Sequence, residues 1–128
     1  MMGLKKDGKP KQIFTETLEE LEVVAYDMLQ DAFDVYFALA SYEDRTAGRT
    51  NNNALYLKSF FLDLDCGLGK PYASQEEALT ALKGFIKELG LPKPTLVNSG
   101  RGIHVYWAVD QSMTRAEWKP VAESLKAL

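Results

Sequence analysis

TLVNSGRGIHVYWAV, residues 95–109, reads as a short strand, a tight turn and a longer strand. Side chains alternate across a strand, so Ile103, Val105, Trp107 and Val109 share one face, and His104, Tyr106 and Ala108 share the other. The first face is wholly apolar and belongs against a core. His104, the only histidine of the chain, therefore stands on the opposite side. The turn Ser99-Gly100-Arg101-Gly102 has two glycines that let backbone approach a ligand closely. It adds a hydroxyl and a guanidinium fork suited to phosphate. A plain hairpin with a solvated arginine and an ordinary structural histidine would fit the same letters.

Working outward, Pro92 and Pro94 precede this hairpin, and Gly90 is the expected left-handed stop of a helix. That helix opens at Ser74, with Glu77 three residues on forming a capping box. Leu79, Leu82, Phe85, Ile86 and Leu89 make its apolar stripe. Before it, KSFFLDLD (58–65) reads as a strand ended by the glycine- and proline-bearing CGLGKPY. Residues 43–56 are rich in turn formers, 34–42 reads as a strand, and 15–32 as a helix through Leu18, Leu21, Ala25, Met28 and Leu29. Downstream, Thr114 and Glu117 repeat the capping box, and Trp118, Val121, Ala122 and Leu125 continue a helix in which Pro120 introduces a kink. The expected order is α-β-β-α-β-β-α, an α+β fold with helices packed on a mixed or antiparallel sheet.

The 128 residues suit one domain, with about two thirds of the unfolded surface buried. At 46% hydrophobic and 26% charged, the composition is that of a water-soluble globular protein. No apolar run approaches the roughly 20 residues of a membrane span, and MMGLKKDGKPKQ lacks the apolar region of a signal peptide. A single cysteine, Cys66, excludes an internal disulfide and a cysteine-based zinc site, in keeping with a reducing cytoplasm. A net charge of −3 argues against a strongly basic duplex-binding surface. Residues 1–13, with Lys5, Lys6, Lys9 and Lys11, are expected to form a disordered basic tail, leaving 14–128 as the folded domain.

The second chemical element is the D-x-D of FFLDLD. Asp63 and Asp65 project from one side of their strand about 7 Å apart, while Leu62 and Leu64 face the core. Two carboxylates held that close favour a cation between them, and oxygen donors of this kind suit Mg²⁺ or Mn²⁺. An exposed strand face that simply carries two acids is the structural alternative. Lys70, after the glycines that follow the acids, is placed to reach a phosphate. Arg45, Arg49 and Lys58 flank the D-x-D strand in sequence and would guide nucleic-acid phosphates, if they are not merely solvated loop charges. Cys66 has no paired base, and its aspartate neighbours disfavour a thiolate.

FFLDLD followed about 35 residues later by SGRGIHVYW resembles the archaeo-eukaryotic primase superfamily, most closely its phage- and plasmid-borne primase–polymerases. KPYASQEEAL, LGLPKPTLVNSGRGIHVYW and the helix from Thr114 fall in the corresponding order, so the likeness spans roughly 34–128. The resemblance implies a primase-like, RRM-related catalytic core and template-directed nucleotidyl transfer from nucleoside triphosphates, in replication of a phage, plasmid or other mobile element. It implies that Asp63 and Asp65 hold the metals, that Ser99 and His104 contact the incoming triphosphate, and that Arg101 assists. Single-stranded DNA would be the template, and a helicase domain or protein a partner.

The family's third acidic ligand belongs on a strand after the Thr114 helix, and Asp110 comes too early to be that residue. The expectation is therefore a catalytic domain truncated within that helix. The rival readings are a non-catalytic module that binds nucleotide or single-stranded nucleic acid, and a D-x-D glycosyltransferase. Two-metal chemistry would activate a 3′-hydroxyl and neutralise the departing pyrophosphate, while Ser99, Arg101 and His104 would fix the triphosphate.

Overall fold

Among the described residues, each of the three helices opens on a hydroxyl side chain. Thr17 accepts from the Glu20 backbone N–H (3.2 Å), Ser74 from Glu77 (3.2 Å) and Thr114 from Glu117 (3.3 Å). Each acid folds back on the chain just before its helix. Glu117 accepts from the Thr114 N–H, while Glu20 and Glu77 reach one residue further, to the N–H groups of Glu16 and Ala73. These reciprocal bonds satisfy donors that a helix start leaves unpaired.

The computed structural model describes residues 2–4 and 8–127. Its elements are β1 (Met2–Leu4), β2 (Lys11–Gln12), α1 (Leu18–Gln30), β3 (Asp34–Tyr36), β4 (Ala40–Tyr42), β5 (Ala54–Asp65), α2 (Gln75–Leu89), β6 (Thr95–Asn98), β7 (Gly102–Thr114) and α3 (Arg115–Ala127). The fold is α+β, as expected, but the strand count is higher than the sequence reading. The β1 and β2 segments lie within residues 1–13, for which a disordered tail was expected. The pairing of β1 with β2 and β3, antiparallel on both sides, is what orders these short pieces, and no local periodicity announces it. Lys5 and Lys6 lie outside the described residues.

The single strand expected over 34–42 is two strands. β3 belongs to the three-stranded sheet β2-β1-β3 and β4 to the four-stranded sheet β4-β5-β7-β6, so the chain changes sheet between them. The expected loop 43–56 ends at Asn53, because Ala54, Tyr56 and Leu57 pair with β4. The strand expected over 102–109 runs on to Thr114.

The described residues form two compact units. The first contains residues up to Leu57 with Met113–Glu123. In it, α1 neighbours β3 and its Met28 is buried beside Gly3 of β1, while Leu18 and Leu29, which recur at helical spacing with it, are exposed. The chain leaves α1 through Ala32, which takes a left-handed φ of 60°. Asn53 is the buried polar residue of this unit. Its amide donates to the carbonyls of Asp44 (2.6 Å) and Gly48 (2.8 Å), and its oxygen accepts from the Asp44 N–H (2.9 Å). One side chain thus supplies the partners that loop 43–53 lacks.

The second unit comprises Lys58–Ser112 with 124–127. In it β6 and β7 are antiparallel, with Val97 opposite His104 and Thr95 opposite Tyr106. β7 lies between β5 and β6, and α2 connects the latter two, which makes a split β-α-β unit. The core is Ala78 and Leu82 of α2 against Ile103, Val105 and Trp107 of β7, with Leu62, Leu64, Phe85 and Leu125 packed around them. The Trp107 indole N–H donates to the Pro92 carbonyl at 2.8 Å, so the largest core ring leaves no polar atom unpaired. Among the described residues no helix is long and apolar enough to cross a membrane.

Candidate functional site

The alternation read from β5 and β7 holds in three dimensions. Leu62, Leu64, Ile103, Val105 and Trp107 go to the core, and Asp63, Asp65, His104 and Tyr106 go to the other face of the sheet. Gly102 sets the spacing between the strands. A Cβ there would stand 2.2 Å from the Leu64 carbonyl oxygen, so only glycine lets β7 come this close to the end of β5. Two residues further along β7, His104 brings Nε2 to 3.6 Å from Asp63 Oδ1, within ion-pair range and beyond a direct hydrogen bond. Its other ring nitrogen, Nδ1, is 3.3 Å from the Tyr106 hydroxyl, and the two rings meet edge to face at 6.2 Å. An Nε2–H facing Asp63 leaves Nδ1 to accept from Tyr106, which orients the imidazole from both sides.

Asp65 has its own cation. The chain after β5 turns back on itself, with Gly67 N–H donating to the Tyr72 carbonyl (2.9 Å) and Lys70 N–H to the Gly67 carbonyl (3.2 Å). That turn carries Lys70 Nζ to 3.8 Å from Asp65 Oδ2. Lys70 therefore meets the acidic pair directly. Each carboxylate of the D-x-D faces a cationic or protonatable partner, which eases the repulsion of two acids on one strand face.

The turn between β6 and β7 is closed by Ser99 N–H donating to the Gly102 carbonyl at 3.0 Å, with Gly100 at a φ of 89° that favours glycine. Asn98 Oδ1 accepts from the Gly100 N–H and from Gln75 Nε2, both at 2.8 Å. The Arg101 carbonyl accepts from the Cys66 N–H at 3.1 Å, tying the turn to the end of β5. Ser99 and Arg101 are exposed on this turn, and among the described residues neither side chain has a hydrogen bond or ion pair. Sequence reasoning missed Gln75, Asn98 and Tyr106. Asn98 had a usable signal, an Asx residue at a strand end before a Gly turn. Gln75 had none, because its partners are 23 and 27 residues away.

The flanking cations divide. Lys58 is exposed on β5 in the second unit. Arg45 and Arg49 belong to the first unit, where Arg45 pairs with Glu16 and Arg49 is partly buried. The Cys66 thiol lies 3.6 Å from the Leu64 carbonyl and packs beside the core.

Among the described residues no group of three or more His, Cys, Asp and Glu side chains is gathered as a metal site. Asp63 and Asp65 are two oxygen donors on a rigid strand. Mg²⁺ is commonly held by one or two carboxylates with the remaining positions filled by water and substrate phosphates, so the donor set fits a partial site.

Comparison with known proteins gives no match. No family model, curated protein or solved structure matches the chain. The chemistry of this face must be read from its own residues.

Proposed function

We propose that the second unit binds a nucleoside triphosphate with Mg²⁺ or Mn²⁺ and serves template-directed nucleotidyl transfer, as in the DNA primase–polymerases that its motifs resemble. The observation that carries this reading is the meeting of Asp63 and His104 at 3.6 Å on the open face of a sheet, beside Asp65 and its partner Lys70. Acids that take a divalent cation stand on β5, and groups that take phosphate stand on β7 and on the turn after β5. A metal–triphosphate ligand is the species that needs both.

Asp63 and Asp65 would hold the metal, which would supply neutralisation of phosphate charge. His104 and Lys70, paired with these carboxylates in the free protein, would then be available to phosphate oxygens. Tyr106 keeps the imidazole oriented. The exposed Ser99 hydroxyl and Arg101 guanidinium stand on a turn held by Asn98 and Gln75, and both are open to receive phosphate oxygens. Lys58 follows the backbone of a single-stranded DNA template. The split β-α-β arrangement supports a primase-like, RRM-related core, in which an open sheet face carries the chemistry.

A second reading, a nucleotide-binding module without catalysis, draws on the absence of a third metal ligand among the described residues. Labelled nucleoside triphosphate, titrated with and without Mn²⁺ into this chain and into an Asp63→Asn/Asp65→Asn/His104→Ala variant, tests the shared part. Metal-dependent binding that the variant loses supports the site. No binding to the folded wild-type chain overturns both readings. Primer extension on a single-stranded template then separates catalysis from binding.

A further inference from the structure

Helix α1 turns only part of its surface inward. Met28 is buried and Leu21, Val24 and Ala25 are half-buried, whereas Leu18, Tyr26 and Leu29 are 78%, 63% and 59% exposed. At roughly 100° per residue, these three and Glu22 fall within about 80° of one another, roughly 120° round the helix from Met28. They form a stripe about 16 Å long by the helical rise, running from the first turn of α1 to the last. Val23, also exposed, widens it. A row of large apolar side chains left in water and rimmed by polar residues is what an interaction site presents.

The charges around the stripe indicate what covers it. Residues 17–34 contain no lysine, arginine or histidine. Glu22 lies within the stripe and Glu19 along its edge, both exposed. Asp27 lies in the last turn and Asp31 caps it, so two acids stand at the negative end of the helix dipole with no base in that turn. Such a field repels the phosphates of nucleic acid and of an anionic membrane surface. A second copy would set acids against acids, with no base on either helix to pair them. We propose that α1 docks a basic amphipathic helix of a partner protein. The partner's apolar side chains cover Leu18, Tyr26 and Leu29, and its lysines or arginines meet Glu19, Glu22 and the acidic end of the helix. The inference uses first-unit residues alone and does not depend on the nucleotide reading above.

The probe is a two-heptad peptide with leucine at positions a and d and lysine elsewhere, titrated into the full ¹⁵N-labelled chain. It should give saturable shifts at the amides of α1. A shuffled peptide of the same composition and a peptide with glutamate in place of lysine should each bind roughly tenfold or more weakly, since the first lacks the apolar row and the second the charge. Leu18→Ser/Tyr26→Ser/Leu29→Ser should lose the response. Glu19→Lys/Glu22→Lys should exchange the preference, weakening the lysine peptide and admitting the glutamate one, an outcome that damage to the fold does not produce. The proposal is overturned if the lysine peptide leaves α1 unmoved, if either control peptide binds α1 as well, or if the charge reversal leaves the preference unchanged. Shifts of the α1 amides with protein concentration alone would also overturn it, because a second copy would then be the occupant.

Discussion

Replacing Gly102 by alanine is the most direct test of how the site is built. The new methyl would sit 2.2 Å from the Leu64 carbonyl oxygen, 3.2 Å from its carbon and 3.4 Å from Asp65 Cα. All three are backbone atoms at the end of β5, so no rotamer change relieves the clash and the strands must part. Overpacking of a tight site costs about 1–3 kcal/mol, and a backbone obstacle places this case at about 3 kcal/mol. For a folding unit of this size that lowers Tm by about 10–20 °C. The same step separates His104 from Asp63, so metal-dependent nucleotide binding should weaken in whatever fraction remains folded. Gly84→Ala provides the control. It lies within α2 and a Cβ there meets nothing within 4 Å, so alanine should stabilise by about 0.5–1 kcal/mol through helix propensity alone. Urea unfolding followed by circular dichroism and tryptophan fluorescence reads both. If Gly102→Ala unfolds within about 0.5 kcal/mol of wild type, a shift well under its predicted cost, the close approach of β7 to β5 is not as described and the geometry of the site falls with it.

Two further predictions concern the first unit. Asn53→Ala removes three hydrogen bonds inside loop 43–53 and leaves backbone groups of Asp44 and Gly48 unpaired, so it should cost about 2–3 kcal/mol, measured by urea unfolding. Asp44 accepts from the backbone N–H of Thr46 at 2.7 Å and, secondarily, from its hydroxyl at 2.8 Å, and these bonds hold its carboxyl below the ordinary value of 3.8. A lowered folded-state pKa means that the contribution to stability is present above 3.8 and is lost as pH falls through the lower folded-state midpoint. A carboxyl NMR titration should find that lowered midpoint, and Asp44→Asn should remove this step from the pH profile. A midpoint at or above 3.8 would contradict the hydrogen bonds.

Much of the second unit was legible because its signals are local. Ser74 with Glu77, and Thr114 with Glu117, announce helix starts through bonds spanning three or four residues. Alternation in FFLDLD and GIHVYW assigns Asp63, Asp65 and His104 to the face away from the core, since a strand has only two faces and Leu62, Leu64, Val105 and Trp107 claim one of them. The same alternation could not say which strands are neighbours. Sequence alone determined that acids and a histidine stand on open faces near a glycine turn. Tertiary structure decided that β7 lies beside β5, that Gly102 permits their contact, and hence that His104 meets Asp63. It also decided that β1 and β2 are strands and that 34–42 serves two sheets. These features rest on partners distant in the chain, and backbone pairing between remote segments leaves no period in the letters that form it.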